Sequence, residues 1–235
     1  MPHSPYKVAQ HYKDLYKDKC DDQSAAFYGM IVNIDENMGL LMQKLDEWKL
    51  TDKTLLIFMA DNGSSAGWKI YNAGMRGGKC TPNEGGSRVP LFMRLPGKIQ
   101  AGVDVDNLTR HYNLFPTLAE IAGASIPKGL DLDGRSPLPL IENPGVQWPD
   151  RNLFFHIGRW NKEGAPGRWG EGDTGPDEAK YRNFAVRNET WRSVGNALYN
   201  IDQDLGERKN VISNTRRWPP RCAKLMASGG MKLGL

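Results

Sequence analysis

The chain has 235 residues, of which 39% are hydrophobic and 25% charged, with a formal net charge of +4. This composition is typical of a soluble globular protein with one large domain, or one and a fraction. No apolar run approaches the roughly 18 residues that a membrane span needs. No basic block alternates with aromatic residues, so we expect neither a membrane segment nor a nucleic-acid partner.

The first predicted element is an amphipathic helix over residues 23–49, after an irregular opening that shows no signal-peptide pattern. Ser24 is a candidate N-cap for this helix. Apolar residues recur at helical spacing and predict one buried face. They are Phe27, Met30, Ile31, Ile34, Met38, Leu41, Leu45 and Trp48.

Residues 54–60 form a short, continuous apolar run that predicts a buried strand. Such a run is consistent with a parallel strand covered on both faces. A helix followed by a buried strand indicates an α/β layer. The next residues, 61–88, are rich in glycine, serine and asparagine and predict a long loop, which in a compact domain is usually functional. A second short strand is predicted over residues 89–95.

Asn113 and Pro116 predict the start of a further helix, which ends at Gly123. The proline-rich residues 125–150 predict a linker. Beyond it, β-like runs at 153–157, 184–187 and 198–201, with a Gly/Trp-rich loop at 158–176, predict a small, mainly antiparallel subdomain. We therefore predict two domains, an α/β domain over residues 1–147 and a small α+β subdomain over residues 148–235.

Two candidate metal ligands, Asp61 and Asn62, directly follow the first predicted strand. Ligands of open α/β sheets bind beyond the carboxyl ends of the strands. Carboxylate and amide oxygens suit Ca²⁺ or Mg²⁺. Asp-Asn-Gly is equally an ordinary turn sequence. The tripeptide alone therefore leaves a metal site and a plain turn both open.

Lys79 follows two glycines and precedes the Gly85-Gly86 pair, which leaves room for an anion to approach its ammonium group. A lone lysine is ordinarily a solvated surface charge. Combined with Asp61 and Asn62, it predicts a metal-assisted anion site. Nearby charged residues are expected to support the loop through ion pairs; these are Arg76, Glu84 and Arg88.

Several motifs of the chain, in their order and spacing, resemble the sulfatase family of formylglycine-dependent sulfuric ester hydrolases. The resemblance covers about residues 2 to 211. It rests on segments 60–63, 74–79 and 84–90, on the helix at 27–39, on the landmarks at 114–118 and 132–136, on the turn at residues 2–5, and on a C-terminal signature formed by residues 198–202 with Glu207 and Asn210. It implies an α/β fold that is part of an alkaline-phosphatase-like sandwich, with a small antiparallel C-terminal subdomain.

The resemblance also implies roles for individual residues. Asp61 and Asn62 would bind Ca²⁺, or Mg²⁺ as in some relatives. Lys79 would contact the sulfate and stabilise charge on the leaving oxygen. His3, in the turn Pro2-His3-Ser4-Pro5, would contact the sulfate ester and donate a proton to the departing oxygen. The expected substrate is a sulfated small molecule or a sulfated glycan, and the family implies a periplasmic, secreted or lysosomal parent enzyme.

The family's nucleophile motif, Cys-x-Pro-Ser-Arg, does not occur in this sequence. None of Cys20, Cys80 and Cys222 lies in Cys-x-Pro-x-Arg, and after Cys80 the position of the arginine is taken by Glu84. We therefore expect the chain to correspond to the C-terminal part of a sulfatase and to be inactive alone. The formylglycine is expected in an N-terminal half.

Two other interpretations remain. One is a phosphatase or phosphodiesterase of the same superfamily, in which histidines commonly add metal ligands. The chain has four histidines, and none is adjacent in sequence to Asp61 or Asn62. The other is a non-catalytic, sulfatase-like fragment.

Overall fold

The computed structural model describes residues 2–157 and 183–214. The chain forms two compact units, the first from Met1–Ile70 and Val89–Asp150 and the second from Tyr71–Arg88 and Arg151–Leu235. The glycine-rich segment with Lys79 thus belongs to the same unit as the C-terminal sheet. The domain boundary at residues 147/148 stays a prediction, and the predicted Gly/Trp-rich loop at 158–176 lies outside the described residues.

The described part of the chain contains helices and two antiparallel sheets. The helices are α1 (Gln10–Asp14), α2 (Asp22–Glu47), α3 (Glu84–Ser87), α4 (Leu114–Ile121) and α5 (Leu138–Glu142). The strands are β1 (Leu56–Met59), β2 (Leu91–Arg94), β3 (Leu153–His156), β4 (Phe184–Arg187), β5 (Trp191–Val194) and β6 (Ala197–Asn200). Residues 125–150, predicted as a linker, include α5 with its fully buried Leu140. No helix in the described ranges is both long and apolar enough to cross a membrane.

Helix α2 begins where the sequence pattern predicts a helix, but its cap is Asp21 rather than Ser24. The Asp21 carboxylate accepts hydrogen bonds from the backbone N–H of Gln23 at 3.1 Å and of Ser24 at 3.0 Å. It satisfies donors that the first helical turn leaves without intrahelical partners. The hydrogen bonds of the Ser24 hydroxyl and backbone N–H hold the pKa of Asp21 below its ordinary value of 3.8.

The predicted apolar face of α2 is only partly buried. Phe27 and Leu45 are buried, but Ile31, Leu41 and Trp48 are 41%, 42% and 61% exposed. Helical spacing of apolar residues predicts which face of a helix is apolar. That face is buried only where another element packs against it. The main neighbour of α2 in the described chain is the five-residue α1, which is too short to cover the whole helix.

Strand β1 forms as predicted, but it pairs antiparallel with β2, and the expected parallel pairing is wrong. Leu56 lies opposite Arg94, and Met59 lies opposite Leu91. The backbone N–H of Ala60 donates to the carbonyl of Pro90 at 3.2 Å and continues the ladder. An apolar run predicts burial but carries no information on strand direction. The β1 residues are only half-buried, so the expected cover on both faces is also wrong for this structure.

The second unit contains a four-stranded antiparallel sheet in the order β3-β4-β5-β6, which confirms the predicted small antiparallel subdomain. Its core includes Val186, which packs against Phe154 and Phe184. Strand β5 was not predicted, because its sequence Trp-Arg-Ser-Val has no apolar run. The two inner residues of β5, Arg192 and Ser193, are nevertheless buried.

Candidate functional site

The two predicted metal ligands lie just beyond the carboxyl end of β1, in the first unit. The Asp61 side chain is exposed, and Asn62 is half-buried. The Asn62 Nδ2 donates to Asp61 Oδ2 at 2.5 Å, so the carboxylate and the amide lie side by side. This orientation leaves Asn62 Oδ1 as a second hard oxygen beside the carboxylate.

His111 contacts the same turn, which sequence reasoning did not predict. Its Nε2 lies 3.0 Å from the backbone carbonyl oxygen of Asp61. The carbonyl is an acceptor, so the His111 Nε2–H donates to it. The contact joins residues 50 positions apart, and no sequence motif signals it. His111 therefore supports the backbone that carries the metal-ligand candidates.

His3 also belongs to the first unit, and its imidazole is exposed. Its Nδ1 lies 2.8 Å from the carbonyl oxygen of Ser4 and donates to it. This hydrogen bond assigns the proton of the neutral ring to Nδ1 and leaves Nε2 for another partner. When the ring is protonated, Nε2–H is the donor that faces away from the chain's own carbonyl.

Lys79 belongs to the second unit and is half-buried. Among residues 2–157 and 183–214, its ammonium group has no hydrogen-bond or ion-pair partner. A partly buried cation without a counter-charge is suited to an anion from outside the chain. His3, Asp61 and Asn62 lie in the first unit and Lys79 in the second.

Glycines close the loop that carries Lys79. A Cβ on Gly85 would overlap the carbonyl oxygen of Gly77 and would come within 2.8 Å of that of Arg76. The Gly85 backbone N–H donates to the Arg76 carbonyl at 2.8 Å. A Cβ on Gly86 would come within 2.7 Å of the Gly78 carbonyl oxygen. These two glycines are thus required by the loop's own backbone packing, a function that the sequence analysis did not assign to them.

Glu84 is the buried centre of the second unit's polar interactions, with a side chain only 3% exposed. Its Oε2 accepts from Arg192 Nη1 at 2.6 Å and from Arg187 Nε at 3.3 Å. Its Oε1 lies 3.8 Å from Nη1 of the exposed Arg88. The expected ion pairing is confirmed for Glu84 and Arg88, but the shorter contacts of Glu84 involve arginines more than 100 residues away.

The two buried arginines lie directly opposite each other on β4 and β5. Like charges in this position destabilise a sheet. The Glu84 carboxylate bonds to both and supplies the counter-charge. Arg192 also donates to the Pro82 carbonyl and to Ser87 Oγ, and its guanidinium lies 4.7 Å from the Phe155 ring centre.

Burial lowers the pKa of Arg192 below its ordinary value, and the nearby Glu84 and Glu207 carboxylates oppose this decrease. An arginine keeps its proton in proteins, so the guanidinium remains a buried cation. Buried charges persist in a folded protein when they are paired and hydrogen-bonded. The carboxylates around Arg192 are therefore part of what permits its burial.

Arg76 was expected to form an ion pair, and the structure gives it different partners. Its Nη1 donates to the Tyr199 hydroxyl at 3.3 Å and to the Glu207 backbone carbonyl at 3.2 Å. The Glu207 carboxylate accepts from the Glu84 N–H and from Asn83 Nδ2, both at 2.6 Å. Glu207 belongs to the C-terminal signature of the resemblance, which implied no particular contact for it.

The chemistry of Asp61 and Asn62 fits a hard cation, because both offer oxygen ligands. In the described ranges, no group of three or more acidic, histidine or cysteine residues could hold a metal ion. Asp61 and Asn62 alone could supply only part of a coordination shell. The cysteines do not fit formylglycine formation, since Glu84 replaces the arginine that would follow Cys80 and is bound to Arg192.

Comparison with solved structures defines the fold class. The structure of Ps i-CgsB in complex with k-i-k-neocarrahexaose superposes with a TM-score of 0.79 and 24% identity, covering 97% of this chain and 47% of that one. The phosphonate monoester hydrolase of Agrobacterium radiobacter gives a TM-score of 0.59 and 26% identity, covering 89% and 40%. The chain therefore has an α/β fold of the alkaline-phosphatase-like class, as predicted.

Sequence comparison identifies the family within that class. The family model "Sulfatase" matches residues 1–124, and the model "N-sulphoglucosamine sulphohydrolase, C-terminal" matches residues 79–221. Human steryl-sulfatase is 34% identical over 169 residues, which cover 65% of this chain and 29% of that protein. The chain belongs to the sulfatase family. It spans about a third or less of the length of the curated relatives it matches.

The buried Glu84–Arg192 pair predicts a large difference between two arginine substitutions. Arg192→Met keeps the aliphatic stem but leaves a buried carboxylate short of a partner, which should cost about 3–5 kcal/mol of unfolding free energy. Arg88→Met removes an exposed partner of the same carboxylate and should cost about 0–1 kcal/mol. Urea unfolding of both variants measures these losses. Equal losses would show that the buried pair does not dominate.

Proposed function

We propose that this chain takes part in the hydrolysis of sulfate esters, supplying groups that bind the sulfate and assist the leaving oxygen. The observation that carries this proposal is the half-buried Lys79, whose ammonium group has no partner in the described part of the chain and lies in a loop closed by glycines and by the buried Glu84. Membership of the sulfatase family supports sulfate as the anion. As the chain matches only part of its relatives, activity depends on groups beyond the ones described.

Hydrolysis breaks the bond between sulfur and the ester oxygen, adds water, and releases an alcohol and sulfate. Negative charge develops on the departing oxygen as this bond breaks. Lys79 stabilises that charge, because a fixed cation interacts more strongly with the developing alkoxide than with the neutral ester oxygen. His3, when its ring is protonated, donates a proton from Nε2 to a departing ester oxygen, with the hydrogen bond from Nδ1 to the Ser4 carbonyl fixing the ring. No step is assigned to the chain's cysteines.

Asp61 and Asn62 are the residues that would hold a Ca²⁺ ion, or Mg²⁺. A divalent cation held there would supply Lewis-acid polarisation of the sulfate. His111 supports the Asp61 backbone through its hydrogen bond to the carbonyl. Ca²⁺ in proteins takes about 6–8 oxygen ligands, so two side chains hold it only weakly.

This incomplete ligand set predicts weak Ca²⁺ binding by residues 1–235. Calorimetric titration should give a dissociation constant well above about 1 μM, weaker than sensor-type sites with complete shells. Asp61→Asn should weaken it further, whereas Asp52→Asn, an exposed carboxylate of the same unit, should not. Submicromolar binding, or equal effects of the two substitutions, would contradict the proposed ligand set.

The substrate is proposed to be a sulfated small molecule or a sulfated glycan. The name of human steryl-sulfatase supports a sulfated small molecule. The structure of Ps i-CgsB with k-i-k-neocarrahexaose, a bound sugar, supports a sulfated glycan. The phosphonate monoester hydrolase neighbour supports one alternative, a phosphorus ester as substrate. Hydrolysis of phosphate or phosphonate esters in preference to sulfate esters would favour this alternative. The second alternative is a non-catalytic role for the chain, which predicts no turnover in a completed enzyme.

The decisive experiment joins residues 1–235 to a sulfatase N-terminal half that carries Cys-x-Pro-Ser-Arg and matured formylglycine. The chain alone should not turn over aryl sulfates. In the completed enzyme, Lys79→Ala should lower kcat by about 10²–10³, the effect of removing one group that stabilises transition-state charge. Arg76→Ala should lower it less, because Arg76 bonds to Tyr199 and Glu207 rather than to substrate.

Circular dichroism provides the folding control for both variants. Lys79→Ala and Arg76→Ala losing activity equally while folded would contradict these roles. Lys79-dependent turnover by the isolated chain would contradict the dependence on a separate nucleophile. Activity on phosphate or phosphonate esters alone would replace the sulfatase proposal by its phosphorus-ester alternative.

A further inference from the structure

We propose that Glu207 is a positioning residue for Lys79, holding both ends of the loop that carries it. The inference rests on the proposed sulfate-binding role of Lys79. We define the lysine loop as residues 76–84, with Lys79 near its middle. Glu207 lies beyond β6, the last strand of the C-terminal sheet. It is more than 120 residues from the lysine loop in sequence.

The Glu207 carboxylate contacts the C-terminal end of the lysine loop. Oε1 accepts the Glu84 backbone N–H and Oε2 accepts Asn83 Nδ2, both at 2.6 Å. Asn83, the residue before α3, makes no capping bond with its own side chain. The Glu207 carboxylate therefore takes the place of a local cap and satisfies a buried N–H.

The Glu207 backbone carbonyl contacts the N-terminal end of the lysine loop. Its carbonyl accepts from Arg76 Nη1 at 3.2 Å, and Arg76 also reaches the Tyr199 hydroxyl. Glu207 has a left-handed backbone, with φ 50°, in which a non-glycine residue is uncommon. The conformation is held because the side chain and the carbonyl of the same residue both bond to the loop.

The contacts of Glu207 lie in a buried site, where water cannot replace a lost hydrogen bond. Glu207 is 1% exposed. Its negative charge also acts on Arg192, whose pKa it raises against the effect of burial. A neutral replacement would remove both a hydrogen-bond acceptor and a counter-charge from a buried site. Closing a nine-residue loop costs entropy, so loss of these contacts should free the loop before the sheet unfolds.

The test compares Glu207→Gln with two control variants of residues 1–235. Asp204→Asn changes a carboxylate in the same segment whose hydrogen bonds, within residues 2–157 and 183–214, are to its own turn, from the N–H groups of Arg208 and Lys209 at 2.7 Å. Val186→Ala opens a cavity in the sheet core and calibrates a general loss of stability. Deuterium exchange reports on loop closure. Acylation of Lys79 by an amine-reactive ester, with and without inorganic sulfate at matched ionic strength, reports on sulfate binding.

We expect Glu207→Gln to accelerate exchange in residues 76–84 on the order of 10-fold while β4 and β5 stay protected. Sulfate should protect Lys79 in the wild-type chain, and Glu207→Gln should raise the sulfate concentration for half-protection by about 10-fold, the equivalent of one charged hydrogen bond. Neither control should change that concentration, although Val186→Ala should accelerate exchange throughout the sheet.

Two results would overturn the inference. Unchanged exchange in the lysine loop of Glu207→Gln would show that Glu207 does not close it. Faster exchange with unchanged sulfate protection would show that closure does not position Lys79. Failure of sulfate to protect Lys79 in the wild-type chain is a distinct outcome, because it refutes the proposed sulfate contact of Lys79 whatever the exchange data show.

Discussion

The second unit depends on one buried carboxylate, Glu84, placed between two arginines that face each other on β4 and β5. Without it, two like charges would be buried side by side in the centre of a sheet. Glu84 belongs to the glycine-rich segment between β1 and β2, not to the sheet. The charge balance of the sheet therefore requires that segment to lie in one place, and Lys79 is carried by it.

The same requirement explains the composition of the segment. Its backbone turns back on itself closely enough that Gly85 and Gly86 have no space for a Cβ. The carboxylates near it have partners: Glu84 is bound to two arginines, and Glu207 accepts hydrogen bonds from Asn83 and from the Glu84 N–H. Lys79 differs from these, since the described residues offer its ammonium no partner. A lysine held on a closely packed backbone, with no partner among the described residues, is suited to binding an anion.

The sequence predicted what depends on local pattern and failed where distant contacts decide. The predicted α2, β1, β2 and antiparallel subdomain all form, because periodicity and apolar runs are local signals. The direction of β1 and the exposure of Trp48 depend on which element packs against them. Asp61, Asn62 and Lys79 were identified from motif order, and their roles stay predictions. The contacts of His111 and Glu207 span 50 or more residues and have no local signal.

The central claim is that Glu84 and Arg192 act as one buried unit that holds the glycine-rich segment on the sheet. A double-mutant cycle with Glu84→Gln and Arg192→Met, read as unfolding free energy in urea, tests it most directly. The account predicts that the two losses are far from additive, with a coupling above about 1 kcal/mol, because each substitution already removes the shared interaction. Losses that add to within about 0.5 kcal/mol would contradict it.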